Sequence, residues 1–323
     1  MNNNPFHSLF LRVKSLIFLR HNGLYVFNKY KIDINLALRK NIYFDFSNPK
    51  YIHFGDMLFF IPLISWLSKN KKIVILVDKE RFFFANFIFN QIAIVNIFNN
   101  TTKLKDGSVL VTSPYNLFNY HSYHLCIVGL GCAYSSTTLK YPLFFAHNFV
   151  NNFASLDIDL AEIEDSFFHW RALFKRRLSS QLNSLPSDYP SKILWLCPYI
   201  ASGKFRDLFK SKLRKLIFFA VKEASLLNTP LALIGGALDK NLDINGANYY
   251  DFRGKSIVDM MHYAISDNVR LGFGFDNFWM HFFDLIGKPY LVLFRGRFLS
   301  YDNNIHLNSV NVSFLYAHKR IYI

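Results

Sequence analysis

Gly274-Phe275-Asp276-Asn277-Phe278-Trp279-Met280-His281 closes one apolar run, Val269 to Phe275, and opens a second that ends near Gly287. Strand, tight turn and helix is the arrangement this spacing predicts. Asp276 and His281 then bracket the first turn of the helix, where free backbone N–H groups and the helix dipole favour an anion. A second acid turn, Gly55-Asp56, lies far upstream in a similar strand-to-helix setting. Two such turns in two half-chains point to a two-domain α/β enzyme.

Working outward from the first turn, the second half alternates regularly. Ile193 to Cys197 reads as a strand closed by Pro198, and Leu208 to Leu227 as a long helix with basic residues on its outer face. Leu231 to Ile234 is a strand ending in Gly235-Gly236. Tyr249 to Phe252 is a strand, and Ser256 to Ile265 a helix whose Ser256-x-x-Asp259 matches a capping box. Val269 to Phe275, Asn277 to Ile286 and Tyr290 to Phe294 complete the series. Strands alternating with helices imply a mostly parallel sheet covered on both faces, with ligands bound beyond the carboxyl ends of its strands. Just past those ends stand Lys204, Arg206, Gly235, Gly236, Arg253, Lys255, the Asp276 turn, Arg295 and Arg297. Glycine and cation together suit a nucleotide diphosphate.

The first half carries the same alternation. Asn41 to Phe46 reads as a strand, Met57 to Leu67 as an apolar helix and Lys72 to Val77 as a buried strand. Arg81 to Phe89 is predicted helical, Ser108 to Thr112 and His124 to Leu130 extended, and Phe167 to Leu182 a basic helix. The stretch Asn183 to Ser191, with Pro186 and Pro190, reads as a linker dividing residues 1–185 from 190–323.

Composition narrows the partners. The 323 residues carry a net charge of +15, and 14 of the 37 basic residues are Arg. Phosphate-bearing partners follow from that balance. No clustered basic stripe or nucleic-acid module is present, so nucleic acid is not expected. The 36 Phe and 18 Tyr are spread evenly and form no repeat, which marks a compositional bias. Cys126, Cys132 and Cys197 all lie in apolar runs and suit small buried thiols in a reducing compartment. No apolar stretch is long enough to span a bilayer, and Arg12, Lys14 and Arg20 break the pattern of a signal peptide. Residues 1–23 are amphipathic, with Phe6, Leu9, Phe10, Val13, Leu16 and Ile17 at helical spacing. Such a helix either lies on an anionic membrane surface or packs on its own domain. A cytoplasmic location, peripheral to the inner membrane in the first case, fits these features.

Three segments resemble glycosyltransferase family 9, the bacterial heptosyltransferases of GT-B fold. His53-Phe54-Gly55-Asp56 through Pro62 is similar to the N-terminal motif. Leu233-Ile234-Gly235-Gly236, followed by Arg253-Gly254-Lys255-Ser256, resembles the middle signature. Asp276 to His281, followed by Gly287-Lys288-Pro289, resembles the donor turn. The resemblance covers roughly residues 41–80 and 193–297. It implies two Rossmann-like domains facing each other across a cleft, and transfer of a heptose or hexose from a nucleotide sugar to a lipopolysaccharide or other surface glycan. It further implies inversion at the sugar and neither metal nor cofactor. Asp56 is then the base on the acceptor hydroxyl, with Lys50, His53 and Gly55 on the acceptor side. Lys204, with Arg206 its rival, meets the donor phosphate, and Gly235, Gly236, Lys255, Asp276, Asn277 and His281 complete the donor side. The acceptor is a phosphorylated or lipid-linked glycan. Asn277-Phe278 departs from the family's Thr/Ser-Gly, which leaves open a catalytically degenerate, glycan-binding or assembly role. His281 either bonds phosphate or sits in a helix core.

Overall fold

The computed structural model describes residues 24–28, 41–47, 53–99, 109–112, 125–129, 160–180, 189–199, 210–240, 242, 244–275, 277–293 and 312–314. The chain divides into two compact units, Met1–Trp170 and Arg171–Ile323.

The first unit is built on a six-stranded sheet. Its strands are β1 (Leu24–Asn28), β2 (Ile42–Asp45), β3 (Ile73–Val77), β4 (Ile94–Ile97), β5 (Val109–Thr112) and β6 (Leu125–Gly129), in the order β1-β6-β5-β2-β3-β4. All neighbours are parallel except the β1–β6 pair. Every residue of β2 and β3 is buried, as expected of strands covered on both faces. The apolar segment Met57–Leu67 forms two helices, not the single one its hydropathy predicts: α1 (Phe54–Phe59) and α2 (Ile61–Leu67). Pro62 is the cause. It lacks an N–H and sits in the first turn of α2, where none is needed, while the Phe60 amide turns back to Met57 O at 3.2 Å. Helix α3 (Phe82–Phe89) joins β3 to β4. Helix α4 (Leu160–Ser180) starts earlier than its basic half suggested, and Trp66 Nε1 on α2 donates to its Glu162 carboxylate at 3.2 Å.

The second unit has six parallel strands: β7 (Ile193–Cys197), β8 (Leu231–Leu233), β9 (Tyr249–Asp251), β10 (Val269–Gly274), β11 (Tyr290–Val292) and β12 (Val312–Phe314). The order β12-β11-β10-β7-β8-β9 is the doubly wound order of a dinucleotide-binding sheet. Its chain reverses direction across the sheet between β7 and β10. Helices α5 (Lys210–Leu227), α6 (Ile257–Ile265) and α7 (Phe278–Ile286) connect the strands.

Gly272 and Gly274 fall on one face of β10, two residues apart. A Cβ on either would run into the buried Tyr290 side chain, so the pair clears the face over which Tyr290 lies. Tyr290 meets Phe283 edge-on at 5.1 Å, and the fully buried Trp195 packs against Trp279 at 4.8 Å. Burying each such ring contributes roughly 5 kcal/mol of transfer free energy before ordering costs. At the end of α7, Gly287 adopts φ +77° and the Lys288 amide closes on Phe283 O at 2.9 Å. This left-handed stop accounts physically for the Gly287-Lys288-Pro289 sequence. Ser256 does occupy the N-cap of α6, but its side chain makes no capping bond.

Candidate functional site

The carboxyl ends of β7, β8, β9 and β10 lie side by side, and the loops leaving them form one bonded assembly. From β7, the chain runs through Pro198 to Tyr199, whose ring is buried and whose hydroxyl donates to Lys240 O at 2.6 Å. From β8 it passes through Ile234 to Gly235 and Gly236. A Cβ on Gly235 would stand 2.5 Å from Tyr199 Cδ2 and 2.7 Å from an Asp239 oxygen, so glycine is needed there for space. The Gly236 amide donates to the Asp239 carboxylate at 2.6 Å. From β9, the Gly254 amide donates to Gly235 O at 2.9 Å, which ties the two loops together.

Arg253 is committed within this assembly. Its Nε and Nη2 grip the Asp251 carboxylate at 2.9 and 2.5 Å, and Nη1 donates to Asp239 O at 2.8 Å. The pairing raises the Arg253 pKa and holds the Asp251 carboxyl below its ordinary range. Burial pushes the Tyr199 phenol up to about 12, against the pull of the Arg253 charge. Lys255 is exposed beside this pair. Arg253 thus braces the loop, and Lys255 is the described cation of that strand end with an exposed side chain.

Asn277 sits where the sheet reverses. Its Nδ2 donates to Cys197 O at 3.1 Å and Tyr199 O at 3.0 Å, while its Oδ1 accepts the Trp279 amide at 3.0 Å. The side chain therefore caps α7 and fastens it to the end of β7. It also takes up one of the helix's N-terminal amides. The Cys197 thiol beneath is free and buried, with its pKa pushed up to about 12 by that burial. Phe278, in the place of the family glycine, is half-buried. It stacks on Phe282, one turn along its own helix, at 5.7 Å and 20°. His281 is 7% exposed in the same helix.

In the first unit, Gly55 is buried and Asp56 is the third residue of α1, in its first turn. His53 is exposed, and its carbonyl accepts the Met57 amide at 3.3 Å. At the end of β2, the buried Asp45 accepts from Ser47 N at 3.0 Å and Ser47 Oγ at 2.6 Å. Buried Arg81 donates to the Asp78 carboxylate and to Phe46 O. Lys50, Lys204, Arg206 and Asp276 lie outside the described residues, as do Arg295, Arg297, Cys132 and residues 1–23.

Sequence reasoning therefore missed Tyr199, Asp239, Asp251 and Arg81. Asp251 and Arg253 are two apart at a strand end, which was a legible signal. The Lys240 carbonyl that Tyr199 meets and the Phe46 carbonyl that Arg81 meets are 41 and 35 residues distant, and nothing local announces them, whereas the Arg81–Asp78 pair is only three residues apart.

These sheets define a class: two doubly wound α/β units in one chain, the arrangement expected from the family 9 resemblance. No protein-family model and no curated protein sequence matches the chain. Among solved structures, the chain is similar to a family 9 glycosyl transferase from Veillonella parvula, with a TM-score of 0.50 at 11% identity over 89% of each chain. It is also similar to E. coli heptosyltransferase WaaC, solved with ADP-2-deoxy-2-fluoro heptose (TM-score 0.47, 12% identity, 85% of this chain and 92% of that one). A third is E. coli ADP-heptose lps heptosyltransferase II (TM-score 0.45, 12% identity, 85% and 89%). The Veillonella likeness shows that the chain has the fold of a family 9 glycosyltransferase.

Proposed function

We propose that this protein is an inverting, metal-independent glycosyltransferase. It moves a heptosyl or hexosyl group from a nucleotide sugar to a lipopolysaccharide-type or other lipid-linked glycan. One observation carries the reading: the segments that resemble family 9 motifs fall at strand ends of two doubly wound sheets. Gly235-Gly236, Gly254-Lys255 and Asn277 leave the carboxyl edge of the second sheet, around its reversal point. Gly55-Asp56 follows β2, the central strand of the first sheet. Ligands bind such sheets at that edge.

In the proposed step, Asp56 takes the proton of the acceptor hydroxyl as its oxygen attacks the anomeric carbon. The bond from that carbon to the diphosphate oxygen breaks, and its electron pair leaves with the nucleotide diphosphate. Attack opposite the leaving group inverts the anomeric centre. Lys204 or Arg206, with Lys255, offsets charge growing on the diphosphate. No metal is required for this balance.

A panel of nucleotide sugars with a lipopolysaccharide-core acceptor tests the reading. Asp56→Asn is expected to abolish turnover while nucleotide affinity stays within about twofold, since the proton acceptor alone is removed. Turnover unaffected by the substitution, or failure of every donor to bind, would overturn it. A degenerate, binding-only protein is the second reading, favoured by Phe278 in place of the glycine and by the internal commitments of Asn277 and the Gly236 amide. Nucleotide or glycan binding without transfer from any donor would select it.

A further inference from the structure

Helix α5 covers one face of the second sheet, and its buried side follows from its sequence. Leu216, Ala220 and Ala224 enter the core with Leu194, Leu231 and Phe273. The opposite side should be polar throughout in a helix that meets only water. It is not. Arg214, Lys215, Phe218, Lys222 and Leu226 are all exposed, at spacings of three or four residues that place them on one stripe. Phe218 is 63% exposed and Leu226 68%, with Leu227 at 43% beside it. The acid of the helix, Glu223, is half-buried and borders the stripe, three residues before Leu226.

An aromatic ring and leucines set among cations form the pattern of a helix that lies in a membrane interface. The apolar groups enter the acyl boundary and the cations meet anionic headgroups. We propose that the outer face of α5 docks on an anionic lipid bilayer through Phe218 and Leu226, with Arg214, Lys215 and Lys222 at the headgroups. Charge complementarity selects this occupant. A second copy would bring the same three cations against themselves. A nucleic acid would match the cations but would leave Leu226 without a partner. The chain's net charge of +15 draws it to the same surface. This surface is distinct from residues 1–23, and the inference does not depend on the glycosyltransferase reading.

Flotation of the full chain with vesicles of phosphatidylglycerol and phosphatidylcholine, against phosphatidylcholine alone, tests it. The wild type is expected to float with the anionic vesicles only, and to be released by salt. Lys215→Glu with Lys222→Glu should weaken binding by at least about 25-fold, at about fivefold per lost cation. Phe218→Ser with Leu226→Ser should weaken it by about tenfold. All four side chains are exposed, so circular dichroism and Tm should stay at wild-type values. Wild-type flotation of both double variants would overturn the proposal and leave residues 1–23 as the anchor. Absence of wild-type flotation, or an affinity for RNA homopolymer that exceeds that for the vesicles and ignores Phe218→Ser, would also overturn it.

Discussion

Asn277 holds Cys197 across the sheet's reversal point: its side-chain amide donates to the Cys197 carbonyl at 3.1 Å, and to that of Tyr199 at 3.0 Å. One side chain thus fastens α7 to β7, 80 residues apart in sequence. Asn277→Ala would leave two carbonyls and the Trp279 amide without this partner, costing about 1–3 kcal/mol. Asn277→Asp should cost more. It keeps the acceptor for the Trp279 amide but sets a carboxylate against two carbonyl oxygens. Urea denaturation at neutral pH measures both. An Asp variant within about 0.5 kcal/mol of wild type would refute the clasp.

The two glycines after β8 should behave differently. An alanine methyl at Gly235 meets the Tyr199 ring at 2.5 and 2.7 Å, whereas at Gly236 its nearest neighbour is an Asp239 oxygen at 3.5 Å. Gly235→Ala is expected to destabilise by about 1–3 kcal/mol and Gly236→Ala by under about 0.5 kcal/mol. Combining Gly235→Ala with Tyr199→Leu should recover part of the loss, giving a coupling of about 1 kcal/mol in a double-mutant cycle. Strict additivity would show that the Tyr199 ring is not what excludes a side chain.

Stability should rise with pH between about 8 and 9. Lys288 is half-buried at the amino end of β10 and donates to Ser266 O and, at 2.8 Å, to Val269 O. Burial lowers its pKa from 10.5 to about 8, with Asp267 opposing and Lys175 assisting. Between those values the unfolded chain holds a proton that the folded chain has released. Raising the pH therefore favours the folded state, by at most about 1.4 kcal/mol per pH unit. From about pH 9 the raised Cys197 thiol offsets this rise, and above pH 10 the raised phenols of Tyr199 and Tyr263 reverse it, because all three keep protons that the unfolded chain gives up. Lys288→Met should flatten the rise from about pH 8 to 9. Equal slopes in chemical denaturation of the two proteins would rule out Lys288 as its source.

The parallel sheets were legible because their central strands are short apolar runs between helices of plain periodicity, as in Ile193–Cys197 and Ile73–Val77. The edge strands β1, β4 and β12 carried no such signal, although the edge strand β9 was read at Tyr249–Phe252. Only Val95 is buried in β4, so its alternation is lost, and β1 is defined by antiparallel pairing to a strand a hundred residues later. The break at Phe60 was announced by Pro62, yet the continuous hydropathy of Met57–Leu67 masked it. Within the candidate site, the turn at residues 274–281 was found from its local pattern. The bonds of Asn277 were not, because its carbonyl partners, at and just past the end of the neighbouring strand β7, lie 80 and 78 residues earlier in the sequence. Ser256 shows the converse: a capping-box pattern in the sequence whose side chain makes no cap bond.

Arg81 should prove to be a structural clasp in the first unit. Its side chain is 5% exposed, and the Asp78 side chain it pairs with is 26% exposed. The same guanidinium donates to Phe46 O, so it joins the end of β3 to the loop that leads from β2 to Gly55-Asp56. Arg81→Met would strand a mostly buried carboxylate and a carbonyl, at a cost of about 2–4 kcal/mol. Arg81→Lys keeps the charge but loses the planar fork that reaches both partners, so its cost should be intermediate. Asp78→Asn in the Arg81→Met background should restore part of the loss, since the unpaired charge is then gone. Thermal and urea denaturation of the four proteins provide the measurement. If Arg81→Met matched wild type, the cation would not be holding the loop, and the path from β2 to Asp56 would need another anchor.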